Sequence, residues 1–286
     1  MQEFLQPAIA IAVFTLMLSV GLDCTAEGYR RSVSRPGLIA TTTLFQFVCI
    51  PALVLLCVWL LSMKAAIATA LILIATCPSG SISNAFTFLA RGDTSLSVTL
   101  TTISNFIGFI ATPLALSVAG AVAGGDISES LKFPTSQLLL QLGVSMLLPL
   151  AIGFLIRRKY AEWVAQKQKA IRGLCMFLIL LVVTLFILAD PSEIASSLKV
   201  MVIPVLLMTP LLFMLAWVIT KIFRSSTTAQ RAILFELPCR NVALASLISL
   251  SVLKRMDLAY FAMAFFILES ILILGLAGWM SRRQNQ

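Results

Sequence analysis

The sequence predicts an all-α polytopic membrane protein, and three observations carry this. Of 286 residues, 59% are apolar and only 12% are charged. That is about half the roughly 25% charged share of soluble domains, too little to cover a soluble surface. The apolar residues also come in runs of about 20, the length that crosses ~30 Å of hydrocarbon at 1.5 Å per residue. Finally, most of the charges gather between these runs.

Nine runs read as spans: roughly 6–23, 37–61, 65–90, 94–121, 135–156, 170–189, 198–222, 229–253 and 257–280. Met1-Gln2-Glu3 carries no basic segment, so the first run reads as a true span rather than a cleaved signal. The net charge of +9 is a topology signal, not a nucleic-acid footprint. The segments after spans 1, 3, 5 and 7 and the C-terminus hold fifteen of the 21 basic residues, among them Arg31, Arg157, Arg158 and Arg283. The opposite side holds five: Lys64, Lys132, Lys199, Lys254 and Arg255. The positive-inside rule then places the N-terminus outside and the C-terminus in the cytoplasm, as an odd span count requires.

Prolines 51, 149, 204 and 210 read as simple kinks. Spans 3 and 8 differ. Span 3 contains Cys77-Pro78-Ser79-Gly80-Ser81-Ile82-Ser83-Asn84, and span 8 contains Glu236-Leu237-Pro238-Cys239-Arg240-Asn241. Such stretches remove N–H donors and supply side chains that compete for backbone bonds, so both helices should break. Non-helical backbone at membrane depth is tolerated only inside protein or along a cavity. With span 5 as the extra element, spans 1–4 correspond to 6–9 and enter from opposite sides. That is an inverted repeat with breaks at matching positions, the pattern of a secondary transporter with a midplane site.

Histidine is absent, which excludes Ser–His catalysis, His-ligated zinc and His-ligated haem. There is no pair of in-span aspartates and no Asp-rich Mg²⁺ motif, so the chain does not read as an enzyme. The six cysteines form no CxxC pair and read as buried thiols. Three ionisable residues fall within spans: Glu236, Arg240 and Glu269. Each is a functional candidate because burial in lipid costs several kcal/mol without a partner. Glu236 and Arg240 are four apart, so on a continuous helix they would face each other as a structural ion pair. Oxygen ligands are plentiful nearby: Gln46, Ser81, Ser83, Asn84, Ser97, Thr101 and Thr102. Hydroxyls and amides with one carboxylate suit a hard monovalent cation. Ser97 and Thr101, four apart, can point at one site.

At these residues the sequence resembles the bile acid:sodium symporter family. The Cys77–Asn84 stretch, Phe88-Leu89-Ala90-Arg91-Gly92-Asp93 and Leu96-Ser97-Val98-Thr99-Leu100-Thr101-Thr102 look like its CPGG-x-x-SN…LARG-(N/D)…LS-x-x-x-TT signature, with Ser79 in place of one glycine. Gln46, ahead of Pro51, sits at the family spacing. The resemblance implies an inverted repeat, two crossing broken helices and the nine-span form of a fold that reaches ten spans in some members. It implies one transmembrane domain over residues 1–286, with a core (37–121 and 198–281) and a mobile panel (1–36 and 135–190). Carried over by position, one sodium site would use Ser83, Asn84, Ser97, Thr101 and Glu236. A second would use Gln46, Glu236, Leu237, Cys239 and the residue at 240. Here that residue is Arg240 where the family has glutamine, and a guanidinium has donors only, so it cannot ligate Na⁺. Three consequences stay open: Arg240 replaces the second sodium as a tethered cation, it binds a substrate carboxylate, or sodium coupling is lost. Glu269, where the family often has asparagine, could pair with Arg240.

The resulting expectation is sodium-coupled secondary transport of an organic anion, bile-acid-like or a small carboxylate, by alternating access. Na⁺ is the only metal and acts as coupling ion; there is no cofactor. The substrate would bind near Asn84, Asn241, Glu269 and Arg240. Partners are a small-molecule organic anion, Na⁺ and the lipid bilayer, with no nucleic acid. The membrane expected is a bacterial inner (plasma) membrane. The alternatives are a sodium-independent or proton-coupled carrier and, more remotely, a non-transporting receptor or sensor.

Overall fold

The computed structural model describes residues 2–25, 28, 30 and 34–282. Met1, Arg31 and Arg283, used above for topology, lie outside the described residues. Along the chain run α1 (Gln2–Asp23), α2 (Pro36–Leu60), α3 (Ala65–Thr76), α4 (Ile82–Leu89), α5 (Thr94–Ala123) and α6 (Gly125–Ser130). They are followed by α7 (Thr135–Lys159), α8 (Ala161–Ala189), α9 (Pro191–Ile222), α10 (Thr227–Glu236), α11 (Val242–Ser251) and α12 (Met256–Arg282). Among the described residues α1, α2, α5, α7, α8, α9 and α12 are long and apolar enough to cross a membrane. The expected third and eighth spans are the broken pairs α3–α4 and α10–α11. Large apolar side chains such as Leu114, Phe177 and Ile203 face outward, as hydrocarbon solvent allows.

Two boundaries move from the expectation. Apolar runs place starts near 170 and 198, but α8 begins at Ala161 and α9 at Pro191. Polar residues such as Lys167 and Lys169 extend α8 beyond its apolar stretch, where span-length hydropathy carries no signal. Asp190 starts α9 by accepting from the Glu193 N–H (3.0 Å), with Pro191 at the first helical position. The Ser192 hydroxyl (2.7 Å) and that N–H hold the Asp190 carboxyl below its ordinary range.

The prolines do more than kink. Pro51 and Pro149 each follow a π-helical turn, Phe45–Cys49 in α2 and Gly143–Leu147 in α7. Each proline lacks the N–H that the carbonyl four residues back would use, and the preceding turn widens to i→i+5 pairing. The first of these turns carries Gln46.

Helix α1 packs on α7 at glycine. A Cβ at Gly21 would lie 2.3 Å from the Leu150 oxygen, and one at Gly153 2.2 Å from the Leu18 oxygen. Backbones therefore touch here, which only glycine allows. Helix α8 packs beside α1, and these two face the broken pairs across a cleft.

Candidate sodium and anion site

The two breaks cross and pair with each other. The Gly80 N–H donates to the Cys239 oxygen (2.8 Å) and the Asn241 N–H to the Pro78 oxygen (2.8 Å), an antiparallel bridge centred on Ser79 and Arg240. Gly80 permits the approach, because a Cβ there would sit 3.0 Å from the Arg240 oxygen. Helix α5 crosses behind and satisfies what the break exposes. Ser104 Oγ accepts from the Ser79 N–H (3.3 Å), Asn105 Nδ2 donates to the Ser79 oxygen (3.0 Å), and Thr112 Oγ1 donates to the Thr76 oxygen (2.9 Å). Buried backbone groups need such partners, so these three side chains hold the crossing together.

The five residues of the first expected sodium site converge beside this crossing. Glu236 ends α10 and is fully buried. Its Oε2 accepts from Ser83 Oγ (2.9 Å) and Ser97 Oγ (3.1 Å), and its Oε1 from Thr101 Oγ1 (2.9 Å). Ser97 Oγ is also 2.8 Å from Asn84 Oδ1, and Thr101 Oγ1 is 3.4 Å from it. Ser83 and Asn84 come from the first turn of α4, and Ser97 and Thr101 from one face of α5. Asp93 caps α5 by accepting from the Leu96 N–H, which fixes that face. Thr87, which the sequence reading passed over, donates to Ser97 Oγ (3.3 Å).

The cluster is short of positive charge. Three hydroxyl protons serve two carboxylate oxygens, an amide oxygen, the Gly80 carbonyl and one another. No basic side chain lies within ion-pair distance of Glu236 among the described residues. The carboxylate also stands at the C-terminal, negative end of α10. An all-oxygen cage with one carboxylate fits a hard monovalent cation and lacks the several acids a divalent ion would require.

The residues of the second expected site have different surroundings. Leu237 and Cys239 lie in the break, and the Glu236 and Cys239 carbonyls are both within 3.2 Å of Ser79 Oγ. The side-chain N and O of Gln46 are buried without a partner. Arg240, 2% exposed, makes no ion pair with Glu236 or Glu269. The i,i+4 pairing fails because α10 stops at Glu236, so no helical turn joins the two residues. Glu269, buried in α12, has an unpartnered Oε1.

Two adjoining cavities run between the broken pairs and α1 with α8, sharing Leu16, Ser81, Ile82 and Ile179. Asn241 and Arg240 line the first and Asn84 the second. Glu269 lines neither. Helices α4 and α11 both begin at the first cavity, at Ile82 and Val242. At the far end of the second cavity Asp23 accepts from Gln168 Nε2 (2.9 Å), and Arg172 lies 3.8 Å from Asp23 and over the Phe88 ring.

The model of the sodium bile acid symporter family matches residues 10–197. This chain belongs to that family. Membership makes it a membrane transporter rather than an enzyme. Among its relatives is an uncharacterized sodium-dependent transporter, YocS, of Bacillus subtilis (strain 168), 25% identical over 238 residues that cover 83% of this chain and 72% of that one. A probable chloroplastic sodium/metabolite cotransporter, BASS2, of Oryza sativa subsp. japonica is 28% identical over 239 residues, 82% of this chain and 54% of that protein. The hepatic sodium/bile acid cotransporter of Homo sapiens is 25% identical over 246 residues, 84% and 68% of the two chains. This chain thus spans about half the length of the rice protein.

Proposed function

We propose that this family member moves an organic anion across a membrane by alternating access, coupled to a Na⁺ ion bound in the Glu236 cage. The observation that carries this is the fully buried carboxylate of Glu236, with no basic side chain within ion-pair distance among the described residues, amid hydroxyl and amide oxygens where the two broken helices cross. A cation there would neutralise the α10 terminus and tie α4, α5 and α10 together. The names of the relatives, sodium-dependent transporter and sodium/bile acid cotransporter, support the same coupling.

The anion binds in the cleft. Its walls are mainly apolar (Leu16, Ile179, Val182, Met263 and Phe266), and its floor is the break with Asn241 and the starts of α4 and α11. Helix N-termini favour negative charge. The chemistry suits a carboxylate with an apolar body. Helices α1, α7 and α8 form the panel that moves against a core made of the broken pairs with α2, α5, α9 and α12. The matching breaks support the inverted repeat, and the distribution of arginines supports an outside N-terminus and a cytoplasmic C-terminus.

A thermal-shift screen of purified protein against carboxylates, with Na⁺ or K⁺ as the counterion, tests this. Ligands that bind only the folded state raise its apparent stability. Stabilisation by Na⁺, enhanced by an amphipathic carboxylate, is expected. No response to either would overturn the proposal.

A further inference from the structure

Backbone carbonyls at the crossing surround a buried side-chain cation. The Arg240 guanidinium is buried, and its Nη2 donates to the carbonyls of Gln46 (3.1 Å), Ala75 (2.9 Å) and Cys77. An NH₂ group has two hydrogens, so three carbonyl acceptors around one nitrogen resemble a cation cage more than a directed hydrogen-bond pair. Each carbonyl is there because the backbone cannot use it. Gln46 lies in the π turn. The Ile50 N–H bonds Phe45, and the residue five ahead of Gln46 is Pro51, which has no N–H. Ala75 is in the last turn of α3, where carbonyls lack helical partners, and the Ser79 N–H that could have served it goes to Ser104. Cys77 precedes Pro78 in the break. The C-terminal end of α3 adds its negative dipole, and the Phe47 ring lies 6.0 Å from the guanidinium carbon.

Arg240 lines the first cavity, but its Nη2 is engaged by the carbonyls of Gln46, Ala75 and Cys77. The residues around it (Gln46, Phe47, Ala75 and Cys77) line neither cavity between the broken pairs and α1 with α8. Beside it, Ser79 Oγ lies 3.2 Å from the Glu236 and Cys239 carbonyls. A guanidinium and a hydroxyl therefore occupy the carbonyl oxygens that could otherwise hold a second ion.

We infer that Arg240, backed by Ser79, is a resident cation that fills the second cage and limits the carrier to one Na⁺ per cycle. This rests on the reading that Na⁺ binds at Glu236. One Na⁺ moving with a monocarboxylate carries no net charge, so transport of such a substrate is electroneutral.

The test is equilibrium binding of radiolabelled Na⁺ to the purified full chain. One Na⁺ per chain is expected for the wild type, lost in Glu236→Gln. Arg240→Lys keeps the charge and should keep one ion. Arg240→Gln empties the cage, and binding should rise towards two. Two ions on the wild type would overturn the inference while leaving sodium coupling intact. So would a folded Arg240→Gln protein that binds one ion with unchanged affinity. If Arg240→Gln does not fold, the wild-type and Arg240→Lys stoichiometries still decide. No binding to the wild type would instead refute the Glu236 site, and this inference with it.

Discussion

Glu236→Gln removes one charge from the cage and leaves its shape almost unchanged. The carboxylate has hydroxyl partners at 2.9, 3.1 and 2.9 Å and no basic neighbour within ion-pair distance among the described residues. At an effective dielectric near 20, a monovalent ion about 4 Å from the carboxylate gains roughly 4 kcal/mol. At 1.4 kcal/mol per decade that is about a thousandfold in affinity. The amide oxygen of glutamine retains some ligation, so a loss of at least roughly a hundredfold is expected. The assay is thermal unfolding against Na⁺, with K⁺ holding ionic strength constant. The wild type should gain about 2.7 kcal/mol at a hundredfold excess over its dissociation constant. The variant should show no Na⁺-dependent shift over the same range. Without Na⁺ the variant should be at least as stable as the wild type, because an unpaired buried carboxylate is itself costly. A purely structural Glu236 would give the reverse, a destabilised variant that keeps its sodium response. That result would refute the reasoning.

Other expectations follow from the same geometry. Asn84→Ala should weaken Na⁺ activation of uptake by about tenfold, as expected for one polar partner at a charged site; an unchanged Na⁺ dependence would remove Asn84 from the cage. Gly80→Ala presses a Cβ onto the Arg240 carbonyl at 3.0 Å. It should abolish uptake while leaving membrane insertion intact, which surface labelling would confirm. Gly21→Ala, with contacts of 2.3 Å to the Leu150 oxygen, should destabilise the α1–α7 pair by about 1–3 kcal/mol in a thermal unfolding assay. Asp190, held below its ordinary 3.8, stabilises the fold above that pH and loses this contribution as pH falls through its folded value. Asp190→Asn should flatten that acid limb in melting curves recorded from about pH 5 down to about pH 2.

The oxygen cluster around Glu236 was legible in the sequence because its members are side chains. Ser97 and Thr101 share a helix face, Ser83 and Asn84 follow a recognisable break, and Glu236 stands out as an acid in an apolar run. The breaks were legible for a similar reason, since proline, glycine and serine state their backbone consequences locally. The surroundings of Arg240 were not. Its partners are carbonyls, which every residue has, and their availability depends on a π turn and on a bridge between segments that lie far apart in sequence. The expected pairing of Glu236 with Arg240 assumed a helical turn that Pro238 interrupts. Ser104, Asn105 and Thr112 were passed over because single polar residues in a membrane helix usually bond their own backbone, as Thr102 does to Val98. The spacing of Asn105 and Thr112, seven apart on the face of α5 that already carries Thr101, was the available signal.

Uptake of a radiolabelled amphipathic carboxylate into proteoliposomes, driven by an inward Na⁺ gradient, tests the central claim most directly. The wild type should accumulate the anion, this should collapse when K⁺ replaces Na⁺, and Glu236→Gln should show none. Equal uptake in Na⁺ and K⁺, or full uptake by Glu236→Gln, would contradict it.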